Sequence, residues 1–280
     1  MNINWYPGHM TGARRKMQED IKLCDVVIEL LDARIPGSSK NPDLDTLKGQ
    51  KKRVIILNKT DLADPKITEK WIDYYTSQGE KVVTMDSRVR KQALAVTNAA
   101  KEVCKDKLER DRMRGIAARP IKAMVAGIPN VGKSTFINSF VGKSTAKTGN
   151  KPGVTRGNQW IRISKDISLL DTPGILWPKF EDQKVGQNLA IIGSINDDIL
   201  NTIELSYILI EYLRDNYCKL MEKRYMIDES GEPHEVLARI AEKKNCLLKG
   251  GEPHLERAAS LLIDDMRSCR LGRISLETPE

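Results

Sequence analysis

No stretch of this sequence approaches the roughly 18 consecutive apolar residues that a membrane-spanning helix requires. Nor does it open with the basic-then-apolar pattern of a secretory signal, so the expectation is a cytoplasmic protein with no membrane span. Cysteine is sparse. Cys24, Cys104, Cys218, Cys246 and Cys269 are scattered, odd in number and without metal-ligand spacing, which argues for thiols in a reducing compartment. Charge of one sign is also limited: a formal +8 suits an acidic partner without establishing one. That excess is uneven, because residues 201–280 carry 12 Lys/Arg against 15 Asp/Glu, a net −3, which leaves +11 in residues 1–200.

What is present is a folded chain of 280 residues, 40% hydrophobic and 30% charged, long enough for one large or two ordinary domains. Apolar runs over Asp25–Asp32, Val54–Leu57, Lys81–Met85 and Ile121–Ala126 read as buried parallel strands. They alternate with helical patterns: a short one over Asn41–Leu47, one opened by Pro65, and a long one from about Val89 to Met113. Thr11 is read as the cap of an earlier helix whose Arg14, Arg15 and Lys16 make a short basic face. Trp160–Ile163 and Ile167–Leu170, joined by Lys165-Asp166, read as an edge hairpin. This strand–loop–helix alternation predicts an α/β fold with a doubly wound, mostly parallel sheet. Beyond Pro178 the pattern turns helical, over Gln187–Ile195, Ile199–Tyr212, Tyr217–Lys223, Glu235–Lys243 and Leu255–Leu271, and predicts a second, all-helical domain. The expected division is an arm and helix over residues 1–22, a nucleotide-binding domain over 23–180 and a helical domain over 181–280.

Gly127-Ile128-Pro129-Asn130-Val131-Gly132-Lys133-Ser134 follows a strand, precedes a helical pattern and fits G-x-x-x-x-G-K-[ST]. Such a loop turns backbone N–H groups toward phosphates, including those of Asn130 through Thr135, while Lys133 reaches the β/γ oxygens and the Ser134 hydroxyl takes Mg²⁺. Asn58-Lys59-Thr60-Asp61 also follows a strand. The Asp61 carboxylate can accept two parallel bonds from guanine N1–H and its exocyclic amine, a fork adenine does not offer. Asn58 and Lys59 are expected to brace the loops and cover the base. Asp171-Thr172-Pro173-Gly174 ends the next strand: Asp171 suits a Mg²⁺-bound water, and the Gly174 N–H suits a γ-phosphate contact that hydrolysis releases. Thr155, in a glycine-rich basic loop over Lys143–Arg162, can complete the magnesium shell; alone it reads as an ordinary loop threonine. Together these residues predict GTP/GDP and Mg²⁺ as ligands.

The motifs resemble those of TRAFAC-class GTPases in a changed order, with NKTD and Asp86-Ser87 first, then the phosphate loop, Thr155 and DTPG. With WYPGHM and KPGVTR added, nearly the full length resembles the ribosome biogenesis GTPase A (YlqF/RbgA) family, which are circularly permuted Ras-like GTPases. Permutation is tolerable because a doubly wound domain depends on strand adjacency in space. The resemblance implies a GTPase that binds ribosomal RNA and precursors of the large (50S) subunit in late assembly, with low intrinsic turnover stimulated by the particle and a monomeric free state. Asp86 and Ser87 then serve the base. Ile175 stands where Ras-like enzymes carry a water-orienting glutamine, and the resemblance offers His9 for that work. It also makes Asn130 a ligand for K⁺, the alternative being a hydrogen bond within its own loop. Phosphate contacts with RNA are expected from Arg14–Lys16 and Lys143–Arg162, and from Arg224, Arg257, Arg267, Arg270 and Arg273 if these cluster. Two rival readings stand beside this one: a GTP-dependent RNA scaffold without catalysis, which Ile175 favours, and a P-loop phosphotransferase, which leaves NKTD unexplained.

Overall fold

Apolar runs bounded by turn residues form a six-stranded sheet in the computed structural model, which describes residues 8–86, 93–116, 119–141, 159–177 and 180–279. Its strands are β1 (Val26–Asp32), β2 (Lys52–Asn58), β3 (Lys81–Met85), β4 (Ile121–Gly127), β5 (Gln159–Arg162) and β6 (Ile167–Asp171). They lie in the order β3-β2-β1-β4-β6-β5, all parallel except the edge strand β5, which forms the hairpin with β6. From β1 the chain winds outward through β2 and β3; from β4 it winds the other way. The switch between β1 and β4 leaves a crevice at their carboxyl ends, where open α/β sheets bind ligands.

β1 is buried along its whole length, as a parallel strand covered on both faces must be. Val26, Ile28 and Leu30 pack into one core with α4 (Ala93–Val103) and α6 (Lys133–Val141). On the other face Val27 meets α1 (Gly8–Asp20) and α2 (Pro42–Lys48), and Leu31 meets Trp71 and Tyr75 of α3 (Pro65–Ser77). Glu29 shares that face and is buried against Arg53 at 2.9 Å. Asn41 and Asp64 cap α2 and α3, accepting from the Asp43 and Lys66 N–H groups, with proline at the first helical turn of each.

Several expected helix boundaries shift by a few residues. α1 starts at Gly8, so Thr11 lies inside it and His9 in its first turn. The long helix expected over 89–113 begins at Ala93 among the described residues and breaks at Cys104, before α5 (Lys105–Met113). Cys104 stays buried in the core while no residue of α5 is buried, so the bend turns a charged segment onto the surface. α7 is Gln183–Ile191 rather than 187–195, because Asp182 caps its start and Gly193, at φ 80°, ends it.

The remaining helices are α8 (Thr202–Asn216), α9 (Leu220–Tyr225), α10 (Pro233–Lys243) and α11 (Leu255–Arg267). α8, α10 and α11 bury Leu205, Leu209, Leu237, Ile240, Leu262 and Ile263 in an apolar core continuous with Ile128 and Val131 of the phosphate loop. After α11 the chain returns to the sheet: the Ile274 N–H donates to the Leu62 carbonyl at 3.1 Å and the Leu276 N–H to that of Arg34 at 2.8 Å. Among the described residues, no helix is long and apolar enough to cross a membrane.

Candidate nucleotide site

Because β1, β2, β3, β4 and β6 are parallel, Asp32, Asn58, Asp86, Gly127 and Asp171 stand at or just beyond one edge of the sheet. The base loop and the phosphate loop touch there. Asn58 is buried and its Nδ2 donates to the Val131 carbonyl at 2.7 Å; the Lys59 ammonium donates to the Asn130 carbonyl at 2.7 Å. Gly132, at φ 100°, is required by this approach, since a Cβ there would lie 2.6 Å from Asn58 Nδ2. The Thr60 N–H reaches the Met85 carbonyl at 3.4 Å and ties the base loop to the strand end that carries the half-buried Asp86. Asp61 is half-buried in the same loop.

At the other end of the crevice Lys133 is buried, and its ammonium donates to the Gly127 and Ile128 carbonyls at 3.1 and 2.8 Å. Burial depresses its proton affinity, partly offset by the Asp171 carboxylate. Asp171 shows the converse: burial pushes its carboxyl above the usual carboxylate range, with Lys133 opposing. Its Oδ1 is buried with no hydrogen-bond partner among the described residues. A hard cation takes oxygen ligands of this kind. Asp171, with the half-buried Ser134 at the start of α6, therefore fits Mg²⁺. Thr172 is buried and its hydroxyl donates to the Val125 carbonyl at 2.7 Å, which anchors the turn. Gly174 then folds back over the phosphate loop, where a Cβ would lie 2.8 Å from both Lys133 Nζ and Pro129 Cα.

Ile175 faces away from this cleft. It is 2% exposed and packs with Met17, Leu44 and Leu170. The Asn130 amide donates to the Gly193 carbonyl at 2.7 Å, a contact outside its own loop, and the Ser194 hydroxyl to the Pro129 carbonyl at 2.9 Å. Thr135 is half-buried in the first turn of α6. Ser87, Thr155 and the loop 142–158 lie outside the described residues, as does the side chain of His9.

Nothing in the residue pattern pointed to Gly193, Ser194 or Arg273 at this site. Asp32 and Arg34 carried a faint signal, an acid closing a mostly apolar strand with an arginine two residues on. The arginines expected to face RNA are largely engaged internally. Arg14 forms a two-pronged pair with Asp43, at 2.7 and 3.0 Å. Arg224 and Arg270 converge on the buried Asp265, Arg267 pairs with Asp197, and Arg273 donates to base-loop carbonyls. Arg15, Lys16, Arg162 and Arg257 of those groups extend from exposed positions without such a contact among the described residues. Of the five arginines expected to cluster, the buried Asp265 takes two, the exposed Asp197 takes Arg267 and backbone carbonyls take Arg273, which leaves Arg257 without such an internal partner among the described residues.

A parallel sheet in which the base loop precedes the phosphate loop along the chain defines a circularly permuted P-loop GTPase. The model of a family described as 50S ribosome-binding GTPase matches residues 122–240, a span that begins in β4 and omits the base loop, as that order requires. Ribosome biogenesis GTPase A of Priestia megaterium is 42% identical over 281 residues, covering 100% of this chain and 98% of that protein. A GDP-bound YlqF structure superposes with a TM-score of 0.70 at 27% identity, covering 95% of this chain and 99% of that one. YlqF from T. maritima bound to GNP gives 0.66 at 28%, covering 96% and 99%. The chain belongs to the ribosome biogenesis GTPase A family.

Proposed function

We propose that this protein is a GTP-hydrolysing switch that binds ribosomal RNA on precursors of the large (50S) subunit and acts in late assembly of that subunit. The observation that carries the nucleotide half is the pair of contacts from Asn58 and Lys59 to the Val131 and Asn130 carbonyls. They hold a guanine-reading carboxylate, Asp61, at a fixed span from the phosphate-binding Lys133. The ribosomal half is supported by the names of the relatives and by the charge excess in residues 1–200.

Ser134 and Asp171 would hold Mg²⁺ in this reading, together with Thr155, and the ion would supply positive charge to the phosphates. Lys133 binds the same oxygens and the Gly174 N–H reads the γ-phosphate, so its loss on hydrolysis frees the segment leading to α7. Asp86 and Ser87 border the base, and Asn130 would help to hold a stimulating K⁺. With Ile175 buried, the attacking water needs another orienting group, and His9 has the suitable chemistry. Intrinsic turnover is accordingly low and rises on the particle.

The test is phosphate release from GTP with and without immature large subunits, alongside binding of the GTP- and GDP-loaded protein to the same particles. Stimulated release and tighter binding of the GTP form are expected; absence of both overturns the switch. His9→Ala should abolish the stimulation while leaving nucleotide affinity intact. Nucleotide-dependent particle binding without hydrolysis would favour the scaffold reading, for which the buried Ile175 speaks.

A further inference from the structure

β1 ends in a carboxylate, Asp32, that lies outside the phosphate loop, NKTD and DTPG. Asp32 is fully buried and lies in register with Asn58 across the β1–β2 pair. It accepts two parallel bonds from the Arg34 guanidinium, both 2.8 Å, and lies 3.0 Å from the Lys59 ammonium. Burial alone would raise its carboxyl, yet the two cations outweigh this and hold it well below the carboxylate range. Lys59, at φ 61°, therefore has two anchors, Asp32 on one side and the phosphate-loop carbonyl of Asn130 on the other.

Arg34 connects this triad to the far end of the chain. Its Nη1 donates to the Arg267 carbonyl at the end of α11, and its own carbonyl accepts from the Leu276 N–H. The segment between those residues runs along the base loop. Arg273 donates from Nη2 to the Thr60 carbonyl at 2.6 Å and from Nε to that of Ala63 at 2.8 Å. Ile274 bonds the Leu62 carbonyl, and the Asp64 N–H donates to the Ser275 hydroxyl at 3.1 Å. The loop from Lys59 to Asp64 is thus gripped from inside by Asp32 and along its outer side by residues 273–276.

We propose that Asp32 and Arg34 are positioning residues for guanine-nucleotide binding, and that the 273–276 segment completes the same brace, so that nucleotide release depends on how the C-terminal helices are seated. This rests on the reading of Asn58–Asp61 as the guanine loop. A partner that lifts α11 would withdraw the Arg267 carbonyl and the strap together and free the base loop, a route of control separate from the γ-phosphate contact at Gly174.

The test uses the full chain and a fluorescent GDP, following affinity and release, with GTP turnover at saturation. Arg273 is exposed, so Arg273→Ala leaves the core intact. It should speed GDP release about tenfold and weaken binding accordingly, with saturated turnover within about twofold of the unsubstituted protein. Arg34→Gln should exceed this effect and Arg34→Lys recover part of it, because the charge returns without the two-pronged geometry. Lys101→Ala, which breaks an exposed ion pair at the opposite end of the sheet, should leave release unchanged. Release at the unsubstituted rate in both Arg273→Ala and Arg34→Lys overturns the brace, even if Arg34→Gln fails to fold. If the unsubstituted protein prefers ATP to GTP, the guanine reading itself has failed; a GTP preference with unaltered variants removes the brace alone.

Discussion

At the base end of the cleft Asp32, Arg34 and Lys59 satisfy one another, and the loop they support is bonded on two sides. At the phosphate end, Lys133 borrows carbonyls of its own loop and Asp171 keeps one oxygen without a partner among the described residues. Both ends bury charge; one compensates it within the protein and the other does not. Desolvation shifts a group toward neutrality unless opposing charges and hydrogen bonds outweigh it. Asp32 moves below the carboxylate range and Asp171 above it for that reason. The base end is finished before ligand arrives, whereas the phosphate end leaves its charges for a polyanionic ligand to complete.

The largest expected effect falls on the unfinished end. Lys133→Ala should lower kcat/KM for GTP about 1,000-fold, by loss of a cation aimed at developing phosphate charge. It should also remove most of the melting-temperature gain that Mg²⁺ and nucleotide give, measured by calorimetry, while the ligand-free protein stays folded.

Next, Asp32→Asn should destabilise the ligand-free protein by about 3 kcal/mol at pH 7, because Arg34 and Lys59 are left buried without their counter-charge. The sign with pH follows from its depressed folded value. The contribution is fully present above the ordinary carboxylate pKa of about 3.9 and is lost as pH falls further. Denaturation of both proteins between neutral and acid pH should therefore show the gap narrowing on acidification.

A smaller effect separates the cleft from its surroundings. Ile175→Gln places a glutamine where Ras-like enzymes have one, yet the side chain here points into an apolar cluster. Turnover should not rise, and burial of the amide should cost about 2 kcal/mol in urea unfolding. Any gain in hydrolysis would mean that the segment after Gly174 turns outward. The smallest change expected is for Ser194→Ala, about 1 kcal/mol, from one hydrogen bond to the Pro129 carbonyl.

How far the sequence could be read differs along the same division. The strands were legible because β1, β2 and β4 are mostly apolar runs closed by recognisable loops. The phosphate loop and NKTD were legible because their chemistry is local, carried by a few adjacent residues with fixed backbone demands. The Cys104 break was not, since a helical pattern continues through it and only packing of α4 against the sheet turns α5 outward. The arginines misled for a similar reason: Arg224 and Arg270 meet Asp265 from positions whose proximity no spacing encodes.

The amino-acid sequence thus determined which loops follow which strands and what each could bind, because hydrogen-bonding groups and glycine placements are set by neighbouring residues. The tertiary structure alone decided that Asn58 and Lys59 reach the phosphate loop, that Asp171 is stranded beside Lys133, and that residues 273–276 return to hold the base loop. Those contacts join residues tens to hundreds of positions apart. Their energies depend on burial and opposing charge, which exist only once the sheet has closed and the helices have covered it.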